Sequence, residues 1–147
     1  AASGLALVFF CAGLAPWHDD PAIYQRLLAR LPPGRPAAIF SSAHIRDLCA
    51  LLAHAKAFCG TSLHGHILAA AFARPAISLT RDTAELSKPA AYVSTWDAEA
   101  GASVVTPAKL ADAVQTALGR NPGKLATQAR IIAEHATTAL LDSLDAA

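Results

Sequence analysis

The chain has 147 residues, 54% of them hydrophobic and 16% charged, with a formal net charge of +1, which suits one domain with its own core and is short for two. A near-neutral charge without a lysine and arginine cluster argues against a nucleic-acid partner. Apolar runs such as 5–10 and 69–73 fall far below the roughly 20 residues that span a bilayer, so no transmembrane segment is expected.

Three cysteines, Cys11, Cys49 and Cys59, lack C-x-x-C spacing, which predicts reduced core thiols in a cytoplasmic protein rather than disulfides or zinc ligands. Methionine is absent even from position 1, which leads us to expect a piece of a longer protein.

In chain order, residues 5–10 form a continuous apolar run, the pattern of a parallel strand buried on both faces. An acidic cap and Pro21 then open a helix to about Leu31, carrying Ile23, Leu27, Leu28 and Leu31. Residues 36–40 read as a second strand, and Ser41-Ser42 as the cap of a helix bearing Ile45, Leu48, Cys49, Leu51 and Leu52. Residues 57–80 read as one βαβ unit: a strand at 57–59, a polar turn, an alanine-rich helix, Pro75, and a strand at 76–79. A weak helix at 84–92 is expected to be interrupted by Pro89. A last strand at 103–105, a helix striped by Leu110, Val114 and Leu118 and stopped by Gly119, and a turn at 121–123 follow. The longest helix is predicted from Lys124 to about Leu144, striped by Leu125, Ala129, Ile132, Ala136, Leu140 and Leu144.

This alternation predicts an α/β fold, a doubly wound parallel sheet of about five strands, with ligands bound beyond the carboxyl ends of the strands. The residues expected there are His18 and Asp19; Ser41, Ser42 and His44; residues 61–66; and residues 80–82. Gly60 suits the bend and Thr61 or Ser62 the helix cap. The unpaired amides of the helix start then favour an anion. His64 is either an anion ligand or proton donor, or a histidine bonded to backbone. His66 lies about 200° round the helix from His64, so the two do not share a metal, and a structural or supporting role is expected. His18 is either half of an acid/base pair with its acidic neighbours or a bystander beside a cap. No G-x-S-x-G elbow surrounds Ser62, and the G-x-G-x-x-G and G-x-x-x-x-G-K-[ST] phosphate loops are missing. No metal site is expected.

The run from Gly60-Thr61-Ser62-Leu63-His64-Gly65-His66 through the alanine-rich helix to Arg74-Pro75-Ala76-Ile77-Ser78-Leu79 resembles the signature of the polysaccharide pyruvyl transferase family. The His-Asp-Asp turn, the Ser-Ser turn and Lys88 agree with it, over roughly residues 5–118. The resemblance implies two Rossmann-like domains facing across a cleft, as in B-type glycosyltransferases, with this chain a single Rossmann-like domain forming the C-terminal, donor-binding half. Its last helix would pack back toward an N-terminal domain of the same enzyme. The whole enzyme would transfer pyruvyl from phosphoenolpyruvate to two hydroxyls of a saccharide acceptor in exopolysaccharide biosynthesis in the cytoplasm. That reaction forms a ketal and needs no cofactor beyond the donor. The resemblance makes His64 and His18 the catalytic candidates and Thr61, Ser62, Gly65, Arg81, Lys88 and Ser41 the substrate-binding ones. Many members carry arginine at the position of Ser62, a bidentate anion contact missing here, which Arg81 or Lys88 would have to replace. Two rival readings are the nucleotide-sugar half of a glycosyltransferase, with Glu85 or Asp82 on the ribose, and a non-catalytic binding domain. An apolar cleft wall separated from its partner would also favour a homodimer.

Overall fold

The computed structural model describes residues 4–13, 20–81, 87–97 and 103–145, and the chain divides into two compact units, residues 1–50 and 51–147. In the first, β1 (Leu7–Phe10) pairs in parallel with β2 (Ala37–Phe40), Leu7 opposite Ala37 and Phe10 opposite Phe40. The connecting helix α1 (Pro21–Ala29) begins as expected: Asp20 caps it, accepting from the Ala22 N–H, and Pro21 occupies the first helical position. Phe9 stacks on Tyr24, ring centroids 5.8 Å apart. The expectation that this strand is buried on both faces fails, since Val8 is 45% exposed. A continuous apolar run cannot distinguish a strand covered on two faces from one covered on one.

Helix α2 (Ile45–His54) spans the division between the units. Its cap is not the Ser41-Ser42 pair but His44, whose carbonyl accepts from the Asp47 and Leu48 N–H groups and whose Nδ1 accepts from Arg46 N–H. Ser42 lies one step further out, its Oγ accepting from His44 N–H and donating to Asp47 Oδ2 at 2.5 Å.

In the second unit β3 (Phe58–Gly60), β4 (Ala76–Leu79) and β5 (Ser103–Val105) form a parallel sheet in that order, with Gly60 opposite Ser78 and Ser78 opposite Val104. Helix α3 (Leu63–Ala71) crosses from β3 to β4. A 3₁₀ turn at Pro107–Lys109 leads into α5 (Leu110–Leu118), which Gly119 ends. Side chains alternate along a strand, so Ile77 and Ser78 face opposite sides of the sheet. Ile77 packs with Ala113 and Ala117 of α5, with Val105, Leu110 and Val114 around them. Ser78 faces α3 through His66. This sheet is therefore covered on both faces. The single sheet of about five strands is corrected to parallel sheets of two and three strands, and among the described residues no ladder joins them. Apolar runs identify buried parallel strands but carry no information on which strand pairs with which.

Pro89 starts rather than interrupts its helix: α4 (Lys88–Tyr92) is capped by Ser87, whose Oγ accepts from Ala90 N–H, and runs directly into a π-helical turn at Val93–Asp97. The turn predicted at 121–123 is likewise a cap. Asn121 Oδ1 accepts from Gly123 and Lys124 N–H, and α6 (Pro122–Asp145) follows. The first half of α6 is fastened within the unit: Leu125 is buried, the Gln128 side-chain amide donates to the Trp96 carbonyl, and His135 meets the Trp96 ring edge-on. Its apolar stripe does not continue into a buried seam, because Leu140, Leu141 and Leu144 are exposed. The cysteines are not core residues, Cys59 being exposed and Cys11 and Cys49 half-buried. Among the described residues no helix is long and apolar enough to cross a membrane.

Candidate functional site

The polar turn between β3 and α3 is built on an aromatic floor. Phe58 is buried beneath it, and a Cβ placed on Gly60 or Gly65 would lie 2.9 Å and 2.7 Å from the Phe58 ring. Carbon atoms in contact keep about 3.5–4.0 Å, so both glycines are needed for the backbone to close over the ring. The strand can then turn sharply into the helix. Ser62 caps α3 as predicted, its Oγ accepting from Gly65 N–H at 3.2 Å and its carbonyl from His66 N–H at 3.1 Å.

Four N–H groups at a helix start lack intrahelical partners apart from such caps. Here the Leu63 and His64 amides have no partner among the described residues, and no acidic residue sits in the first turn of α3. The His64 side chain is exposed beside them, as is Thr61, whereas Gly65 is buried. The amides and the positive end of the helix dipole thus face outward over the carboxyl edge of the sheet. Arg81, two residues past β4, and Lys88, at the start of α4, are both exposed. Because β3 and β4 run in parallel, Arg81 leaves the sheet at the same edge as the His64 turn. Ser41 is exposed in the first unit. His18, Asp19, Asp82 and Glu85 lie outside the described residues.

Beneath the turn lies a buried polar group that the sequence reading only half anticipated. His66 is 0% exposed, with Nδ1 2.8 Å from Ser78 Oγ and Nε2 2.9 Å from Asp97 Oδ2. Ser78 is 0% and Asp97 4% exposed. The supporting role expected of His66 matches this geometry, but Ser78, Asp97 and their neighbours were not anticipated. A serine within Ala76-Ile77-Ser78-Leu79 looks like a tolerated small residue, and Asp97 is 31 residues from its partner. The composition is that of a Ser-His-Asp triad, but the serine sits on Nδ1 and the acid on Nε2, the reverse of the nucleophilic arrangement, and no path from solvent reaches a fully buried Ser78 Oγ. The trio is scaffolding.

Its surroundings adjust to the Asp97 charge. The Tyr92 ring meets His66 edge-on with centroids 5.5 Å apart. Burial, and then the Asp97 carboxylate, push the Tyr92 hydroxyl above the usual phenol range. Burial pulls the Arg120 guanidinium down while Asp97 opposes that shift, and Arg120 donates to Ser103 Oγ at 3.0 Å. On β3, Cys59 keeps an exposed surface, yet partial desolvation of its thiol pushes it up to about 11, so it stays protonated near neutrality and is a poor nucleophile. Among the described residues no cluster of histidine, cysteine and carboxylate could hold a metal ion.

The family model described as Polysaccharide pyruvyl transferase matches residues 4–83, which contain β1 to β4 and the whole His64 turn. No curated protein and no solved structure matches the chain.

Proposed function

Since the chain belongs to the polysaccharide pyruvyl transferase family, we propose that the turn between β3 and α3 holds the anionic donor, phosphoenolpyruvate, for transfer of its pyruvyl group to a saccharide. The observation that carries this reading is the pair of outward amides at Leu63 and His64, beside an exposed imidazole and with no acid in the turn. A compact polyanion matches that arrangement of donors and dipole. Thr61 adds a hydroxyl, Ser62 and Gly65 shape the turn, and Arg81 and Lys88 supply the charge that arginine at position 62 would otherwise bring.

Ketal formation requires a proton on the methylene carbon of the donor, addition of two sugar hydroxyl oxygens to the adjacent carbon, and departure of phosphate from it. The two hydroxyl protons are released to base, solvent or the departing phosphate. His64 as imidazolium is the proton donor on this reading, with His18 the second candidate. The amides and cationic side chains stabilise the negative charge that collects on phosphate as it leaves. The acceptor is assigned chiefly to an N-terminal domain of the same enzyme, with the present chain as the donor half.

The test is a titration of phosphoenolpyruvate into the chain, followed by NMR at His64 and at the Leu63 amide, with inorganic phosphate and a UDP-sugar as controls. Saturable shifts specific to phosphoenolpyruvate, weakened at least about tenfold by His64→Ala (about 1.4 kcal/mol), are expected. Shifts with the UDP-sugar alone would replace the donor with a nucleotide-sugar.

A further inference from the structure

The His66 trio places one ionisable ring and one carboxylate out of solvent, although apolar residues of similar volume could fill the same space without the desolvation penalty. What apolar residues could not supply is direction. The ring is held at both nitrogens by different elements, Ser78 of β4 on one side and Asp97 at the end of the π-helical turn on the other.

Two geometric facts tie this hold to the donor turn. Successive residues on an α-helix are about 100° apart, so a His66 ring fixed inward, toward the sheet, obliges His64, two residues earlier, to point away from it. This is the observed arrangement, with His66 fully buried and His64 exposed. Ser78, moreover, is the direct strand partner of Gly60, the residue where the chain bends into the turn. The anchor of the ring therefore lies one strand position from the start of the site. On the other side Asp97 closes the continuous helical segment that Lys88 opens, and Tyr92 from that segment rests against the same ring.

We infer that His66 is a positioning residue for the donor: its bonds to Ser78 and Asp97 set the rotation of α3 about its axis, and with it the direction of the Leu63 and His64 amides and the His64 ring. They also fasten the Lys88–Asp97 segment to the same turn. This role rests on the donor reading above for its ligand, but not for its effect on the turn.

The test compares His66→Leu and His66→Gln in the full chain by two readouts, amide hydrogen exchange and phosphoenolpyruvate titration. Leucine fills the volume without directional bonds. Glutamine restores one donor and one acceptor. His66→Leu is expected to speed exchange about tenfold or more in the first turn of α3 and in residues 90–97, leaving Ala113 and Ala117 of α5 unchanged, and to weaken phosphoenolpyruvate about tenfold. His66→Gln is expected to recover most of both effects. If His66→Leu does not fold, Ser78→Ala and Asp97→Asn take its place, each with a smaller effect confined to the same two segments. Exchange that rises equally in α5, unchanged binding in His66→Leu, or glutamine no better than leucine would overturn the assignment. If the unaltered chain ignores phosphoenolpyruvate, the donor reading fails by itself. The exchange pattern then decides the positioning role: confined acceleration supports it and uniform acceleration sinks it.

Discussion

Two strand-to-helix turns in this chain use the same residue types to opposite effect. At the start of α2, serine and histidine are consumed locally: His44 Nδ1 takes the Arg46 amide, Ser42 Oγ takes the His44 amide, and Asp47 in the first turn accepts from Ser42. The positive end of that helix is thereby neutralised by the chain's own carboxylate. At the start of α3, a single Ser62 Oγ takes the Gly65 amide, no acid is present, and the Leu63 and His64 amides are left facing outward. A serine and histidine ahead of a helix therefore do not make an anion site. What matters is whether those side chains are already spent on the backbone and whether an acid has occupied the dipole first.

The largest expected effect comes from the floor beneath the α3 turn. Gly65→Ala would ordinarily gain up to about 1 kcal/mol from helix propensity. Here the new Cβ would lie 2.7 Å from the ring of a buried Phe58. Overpacking of that kind typically costs about 1–3 kcal/mol, and against a buried ring the upper half of that range applies, so after the propensity gain the variant is expected to be less stable by about 1–2 kcal/mol in denaturant unfolding. Phe58→Leu should relieve part of the clash, giving a favourable coupling energy in the double-mutant cycle. An alanine variant as stable as the unaltered chain would show that the ring moves freely and does not fix the turn.

The next effect separates stability from binding. Ser62→Asp keeps a good N-cap and adds a charge that suits the helix dipole, so thermal stability should hold or rise by a few tenths of a kcal/mol. The same carboxylate would make the α3 turn resemble the α2 turn and repel a polyanion. Binding of phosphoenolpyruvate is expected to fall at least about tenfold, or about 1.4 kcal/mol. Unchanged binding would mean that the Leu63 and His64 amides are not the anion contacts.

Much of this turn was legible in the sequence because its determinants are local. Gly60, Ser62, His64 and Pro75 fall within one βαβ unit, and cap, bend and stop are set by near neighbours. The family resemblance rested on the same residues, and the match over residues 4–83 supports it. The Asp20 cap of α1 and the Gly119 end of α5 were equally readable. What could not be read depends on partners distant in sequence. Pairing of the strands into sheets of two and three is decided by which edges meet, to which apolar runs are blind. Phe58 as a floor for two glycines, and Asp97 as the partner of His66, are tertiary facts without a periodic signature. The His44 cap was missed because Ser41-Ser42 offered a commoner one, yet the helix begins three residues after Ser42. Pro89 and Pro122 were misread for one reason: proline ends helices from within but starts them at the first turn, and only the position of the preceding cap distinguishes the two cases.

The smallest effect tests which half of the contrast matters more, the spent amides or the acid. Asp47→Asn removes the charge from the first turn of α2 while keeping an oxygen that can accept from Ser42 Oγ. The lost interaction with the helix dipole is expected to lower stability by about 0.3–1 kcal/mol, less in high salt. If occupied amides are the principal reason that α2 is not an anion site, the Arg46 amide should still show no saturable shift with inorganic phosphate. His44 Nδ1 continues to hold the Arg46 N–H. If the Arg46 amide instead begins to titrate with an affinity like that of Leu63 and His64, the carboxylate alone had kept anions away. In that case α3 differs from α2 chiefly in lacking an acid, and the importance of its free amides falls accordingly.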